Sequence, residues 1–266
     1  MIELEAFSKS YSSKKDDFSV KNISLKVQKG TVTGLIGPNG SGKTTIMKAI
    51  CGFHYPTSGK IILTREKQSD AEEGSQTKEN MPAYAEERLL LAENPKNAMN
   101  LVGYVPEIPA LPPEMPVSAF LNYAAACHGL SQARAGKALE KVTKQCSLEK
   151  FLQKKIKTLS KGQKQRVSFA QALIYDPPNL ILDEPVSGLD PAQIIQMRNL
   201  IQELSKTKAI LMSTHILQEI YSLCSNLYIL NEGQIVAQGS EEEIIKQSKV
   251  KSLEEAFIKL TSTSDE

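Results

Sequence analysis

The chain has 266 residues, with 32 basic and 30 acidic side chains and a net charge of +2. Charges so evenly balanced argue against a mainly electrostatic grip on nucleic acid, and 41% hydrophobic with 23% charged residues excludes a disordered chain. No run of roughly 18 apolar residues occurs, so no segment is expected to cross a membrane by itself.

The opening Met1–Glu5 is acidic and alternating, which is wrong for a signal peptide. Cys51, Cys127, Cys146 and Cys224 are far apart and lack the paired spacing of a zinc site. They are expected to be free thiols in a reducing cytoplasm.

In chain order, residues 2–7 alternate, and Phe18, Val20, Ile23, Leu25 and Val27 continue a β pattern. Thr31–Ile36 reads as a short apolar strand, Gly37–Gly42 as a glycine-rich loop and Thr44–Cys51 as a helix. Lys60–Leu63 is another strand. Residues 65–81 have almost no apolar content and read as an exposed loop or disordered insertion. Pro82–Ala98 shows helical spacing through Leu89, Leu90 and Leu91, and Leu101–Val105 is a strand stopped by Pro106.

Residues 111–175 read as helical, with helices over Val117–His128, Ser131–Gln145 and Gly162–Tyr175. The apolar runs Leu180–Leu182, Ala209–Ser213 and Leu227–Leu230 then alternate with helical stretches Gln193–Lys206 and Leu217–Leu223, the pattern of a mainly parallel sheet. Glu232-Gly233 is a hairpin turn. Ser240 with Glu243 is a capping box that opens C-terminal helices, and Leu253, Ala256, Phe257 and Leu260 form a packing stripe.

Gly37-Pro38-Asn39-Gly40-Ser41-Gly42-Lys43-Thr44 fits the G-x-x-x-x-G-K-[ST] phosphate loop, with a strand before it and a helix after. Glycines let backbone N–H groups face phosphates, and the helix adds the positive end of its dipole. Lys43 can neutralise β- and γ-phosphate oxygens, Thr44 can place a hydroxyl on Mg²⁺, and Thr45 follows within the nucleotide site. Downstream, the strand Leu180–Leu182 delivers Asp183 and Glu184. Strand alternation puts neighbours on opposite faces, so the two carboxylates divide the work. Asp183 belongs to the Mg²⁺ side, and Glu184 is the candidate to polarise an attacking water.

Between these motifs, Leu159-Ser160-Lys161-Gly162-Gln163 resembles the LSGGQ signature of ATP-binding-cassette (ABC) ATPases. Ser187-Gly188-Leu189-Asp190-Pro191 resembles the D-loop of that family, Ser213-Thr214-His215 its switch histidine, and Gly103-Tyr104-Val105-Pro106-Glu107 its Q-loop. Tyr11 occupies the place of the adenine-stacking aromatic. The resemblance spans about residues 2–240.

It implies an α/β P-loop cassette with a mixed-sheet ATP core over 1–110 and 173–240. A helical subdomain over 111–172, an insertion at about 65–100 and a C-terminal helical extension over 241–266 complete it. It also implies two cassettes facing head to tail around two ATP molecules. Ser160, Gly162 and Gln163 of one would complete the site of Lys43 and Thr44 in the other. His215 would contact the γ-phosphate and hold the attacking water with Glu184.

Two residues depart from the family pattern. Lys161 replaces the first signature glycine, and Glu107 replaces the Q-loop glutamine while remaining able to bind Mg²⁺ or water. Gly103–Glu107 and Ser252–Phe257 are similar to cassettes of ABC-2-type exporters. The expected function is therefore ATP hydrolysis that powers a membrane transporter, by resemblance an exporter. Its partners would be a second cassette and a separate permease on the cytoplasmic face of the membrane, with no nucleic acid. A soluble cofactor-assembly ATPase is the alternative.

Overall fold

The computed structural model describes residues 1–11, 19–68, 84–215 and 217–262. Two sheets organise the chain. The first is antiparallel, with β1 (Ile2–Lys9) flanked by β2 (Val20–Val27) and β4 (Ser58–Gln68), and β5 (Tyr84–Leu90) outside β4.

The second has six strands. β3 (Val32–Ile36) pairs in parallel with β8 (Ala209–Ser213) and β9 (Asn226–Asn231), then β7 (Asn179–Asp183) and β6 (Val102–Val105) follow on one side. β10 (Gln234–Gly239) closes the other side antiparallel to β9. β3, β7 and β8 are buried at every position, which is why they read as unbroken apolar runs.

Helix α1 (Lys43–Ile50) contributes Ile46, Met47, Ala49 and Ile50 to the core shared by the two sheets. On the other face of the parallel sheet, α3 (Val117–Cys127), α4 (Gln132–Gln145), α5 (Lys161–Leu173) and α6 (Pro191–Ser205) gather around Phe120, Leu121, Val167 and Phe169. Further along, α7 (Leu217–Leu223), α8 (Glu241–Ser248) and α9 (Leu253–Thr261) bury Ile220, Ile244, Leu253 and Ala256 in a third cluster. The stripe at Leu253 and Ala256 is thus packing. The capping box of Ser240 and Glu243 is present at the start of α8. The β9–β10 turn has Glu232 and Gly233 at φ 45° and 74°, the two positive values a tight hairpin requires.

One stretch differs from expectation. Residues 82 and 83 of the helix read over Pro82–Ala98 lie outside the described residues, and the remainder is instead strand β5 followed by the short α2 (Pro95–Met99). The spacing of Leu89, Leu90 and Leu91 suits either state. Pairing decides it, since Ile62 stands opposite Leu90, Leu63 opposite Leu89 and Thr64 opposite Arg88. Salt bridges Arg65–Glu87 (2.5 Å) and Arg88–Glu3 (2.9 Å) lie across this edge. Residues 65–68, read as loop, likewise extend β4. The rest of the polar stretch, 69–81, lies outside the described residues, as does Phe18, read as continuing the β pattern before β2.

Candidate active site

The phosphate loop joins β3 to α1. Gly37 lies so close to the Leu230 carbonyl that a Cβ there would collide with it. Gly42 takes φ 105°, and a Cβ on it would come within 2.7 Å of Val20 Cγ2. A side chain at either position would displace the loop. The β9–β10 hairpin supports the loop from behind, the Gly233 N–H donating to the Ser41 carbonyl at 3.1 Å. Ser41, within the loop, is buried, and its Oγ has no hydrogen bond among the described residues.

α1 starts at Lys43 with no side-chain cap and no acid in its first turn, which leaves its first N–H groups and its dipole for an anion. Lys43 Nζ donates to the Gly37 carbonyl at 2.7 Å and the Pro38 carbonyl at 3.0 Å, so the ammonium arches over the loop. Burial lowers its pKa, while the charges of Glu184 and Asp183 pull the other way.

A cleft of about 380 Å³ is lined by Asn39, Gly40, Gly42, Lys43, Thr44, Thr45, Glu107, Asp183 and Glu184, together with Ser19. The two carboxylates therefore share one cleft, against the alternation expected of a continuing strand. β7 ends at Asp183, and Glu184 takes a left-handed φ of 46°, which turns its side chain back toward the loop.

Their partners set them apart. Ser213 Oγ donates to Asp183 Oδ1 at 2.6 Å and accepts from the Glu184 N–H at 3.1 Å. Tyr104 OH donates to Asp183 Oδ2 at 3.4 Å. Burial first, then Asp183, raises the Tyr104 pKa, so the phenol stays a donor. Glu184 Oε2 is buried and makes no hydrogen bond among the described residues. His215 Nδ1 comes within 2.9 Å of it without hydrogen-bond alignment. His215 itself is 62% exposed along its side chain.

The structure does not bring every expected residue into this cleft. Tyr11 is exposed and outside its lining; its OH meets His54 Nε2 at 2.9 Å, and the same nitrogen lies 3.2 Å from the Thr45 carbonyl. The signature residues sit apart at the start of α5. There Ser160 Oγ accepts from the Gln163 N–H and Gln163 Oε1 accepts from the Ser160 N–H, a closed capping box. Gly162 is packed under the Gln193 side chain, and the Lys161 ammonium lies against Gly188 of the D-loop segment. Asp190 caps α6, accepting from the Gln193 N–H at 2.9 Å.

Sequence reasoning gave no role to Ser213, Tyr104 or His54. For Ser213 a signal existed, a hydroxyl at the end of a buried strand. For His54 none did, because its partner Tyr11 is 43 residues away.

A strand-loop-helix cradle for phosphates, beside a carboxylate pair at the end of a buried parallel strand, defines a P-loop ATPase. The ABC transporter family profile matches residues 20–187. An uncharacterised ABC transporter ATP-binding protein of Bacillus subtilis, YxlF, is 33% identical over 94% of this chain and 74% of its own. The Nod factor export ATP-binding protein I of Cupriavidus metallidurans is 34% identical over 86% of this chain and 69% of its own. The solved structure of an ATP-binding subunit of an ABC transporter, 30% identical, superposes with a TM-score of 0.80 over 98% of this chain and 100% of that one. The chain belongs to the ABC transporter family. It is an ATP-binding subunit that hydrolyses ATP.

Proposed function

We propose that this subunit drives export through a separate membrane permease, and that the residues of the Lys43–Glu184 cleft carry its hydrolysis. The observation that carries this reading is the convergence of the uncapped α1 terminus, Lys43, Thr44, Asp183 and Glu184 on one cleft. Gly37–Thr45 and Lys43 hold the β- and γ-phosphates. The Thr44 hydroxyl and the Asp183 carboxylate suit Mg²⁺, a hard cation that takes oxygen ligands, with Glu107 facing the same space. Bound there, the cation would offset phosphate charge.

Glu184 takes the proton of a water as the water oxygen attacks the γ-phosphorus and ADP leaves with the bridging oxygen, a role supported by its buried Oε2, which lacks a hydrogen bond among the described residues. His215, 2.9 Å from that oxygen, orients the same water. Tyr11 stacks on adenine.

Ser160, Gly162 and Gln163 act on the ATP of a second cassette, which makes hydrolysis dependent on dimerisation. Residues 1–110 and 173–240 form the ATP core, 111–172 the helical subdomain and 241–266 the extension. Among the described residues no helix is long and apolar enough to cross a membrane, which suits a motor that docks on a permease at the cytoplasmic face. Export is supported by the Glu107 form of the Q-loop and by the export named for the Cupriavidus relative.

Glu184→Gln tests the centre of this reading. The variant should bind ATP, accumulate an ATP-bound dimer on size exclusion and lose hydrolysis. Unchanged turnover would remove Glu184 from the base role.

A further inference from the structure

We propose that His54 is a positioning residue for the adenine end of ATP, holding Tyr11 in place against the phosphate-loop helix. The inference rests on the reading of Tyr11 given above. Three observations carry it. Tyr11 OH and His54 Nε2 are 2.9 Å apart, and their rings meet edge to face with centroids 5.5 Å apart. The same Nε2 lies 3.2 Å from the carbonyl of Thr45, a residue of α1 that lines the phosphate cleft. Lys9 Nζ stands 5.3 Å from the Tyr11 ring centroid and donates to the Tyr55 carbonyl at 2.9 Å, bracing the ring from another side.

Tyr11 is 61% exposed and lies just beyond the end of β1, so little of its own packing fixes it. A freely rotating tyrosine would lose side-chain entropy on stacking, and a ring held in advance loses less. The hydrogen bond through His54 supplies that hold, and its other end is the helix that carries Lys43 and Thr44. Base and phosphate contacts are thereby set at a common spacing.

The tether needs the neutral tautomer with its proton on Nε2, whose N–H lies between the Tyr11 oxygen and the Thr45 carbonyl and is shared by the two. With the proton on Nδ1, Nε2 accepts from the Tyr11 hydroxyl but makes no bond to Thr45. Burial lowers the His54 pKa, the Thr45 carbonyl opposes this, and Lys9 and Lys48 add to the lowering. The ring is accordingly neutral around pH 7.

The test is calorimetric titration of the full chain with Mg·ATP and, separately, with inorganic triphosphate, alongside steady-state hydrolysis. Losing one hydrogen-bonded tether should weaken ATP about fivefold. His54→Ala and Tyr11→Phe should each show that loss, and the double variant should be no weaker than either single one. Triphosphate affinity should be unchanged, and the loss should fall on KM with under about twofold in kcat. His54→Gln, which offers an amide near the Nε2 position, should restore most of the affinity.

If Tyr11→Ala weakens ATP while His54→Ala does not, the tether is wrong and the adenine role of Tyr11 stands. If Tyr11→Ala has no effect, the stacking role and the tether both fall. Equal loss for ATP and triphosphate in His54→Ala would place its effect on the phosphate loop and overturn the proposal.

Discussion

Two helix N-termini in this chain are candidates for γ-phosphate binding, α1 for the chain's own ATP and α5 for that of a second cassette, and they are built in opposite ways. α1 begins at Gly42 in a left-handed conformation, without a side-chain cap, and its first turn faces a cleft lined by charged residues. α5 begins at Ser160, and its capping box already satisfies two N–H groups from within the chain. The first is a finished anion site. The second is stabilised as a helix end and retains less to offer, chiefly the Ser160 hydroxyl proton and the Gly162 N–H. On the proposed reading, the terminus that binds the chain's own ATP and the one that waits for a partner differ in whether local capping has consumed the donors.

The largest expected effect breaks the first terminus. Lys43→Ala should reduce hydrolysis by about 10³-fold, the scale seen when a preorganised donor to developing charge is lost. ATP affinity should fall with it, and titration with ATP checks this directly.

Ser160→Ala breaks the second. Hydrolysis should fall by about 10²-fold, while ATP binding to the monomer, read at protein concentrations too low for dimerisation, stays unchanged. Equal loss of monomer binding would show that the two termini are not the separate devices described. The same variant should lose about 1 kcal/mol of stability as the cap disappears, read by chemical denaturation.

Gly42→Ala sharpens the contrast from the α1 side. The cost of a left-handed non-glycine residue is about 1–2 kcal/mol, and the approach to Val20 Cγ2 adds to it. A lowered denaturation midpoint with weakened ATP binding is expected.

Lys161→Gly should be mildest, changing hydrolysis by less than about threefold. Its ammonium rests on Gly188 and makes no hydrogen bond or ion pair among the described residues. A large loss would give this substituted signature position a direct role in turnover.

The phosphate loop, the three buried parallel strands at 32–36, 179–183 and 209–213, and the hairpin at Glu232-Gly233 were legible in the sequence. Their information is local: glycines where φ must be positive, apolar runs where both faces are covered, and fixed spacing between loop, lysine and threonine. Tertiary structure decided the rest. The segment around Leu89–Leu91 is a strand only because Ile62–Thr64 pairs with it. Glu184 shares the cleft of Asp183 because the chain turns left-handed where the strand ends. Ser213 reaches both residues because β7 and β8 lie in register, Asp183 beside Ser213. His54 meets Tyr11 across 43 residues. Propensity and motif act over a few residues, whereas register, strand ends and long-range hydrogen bonds exist only once the sheets have formed.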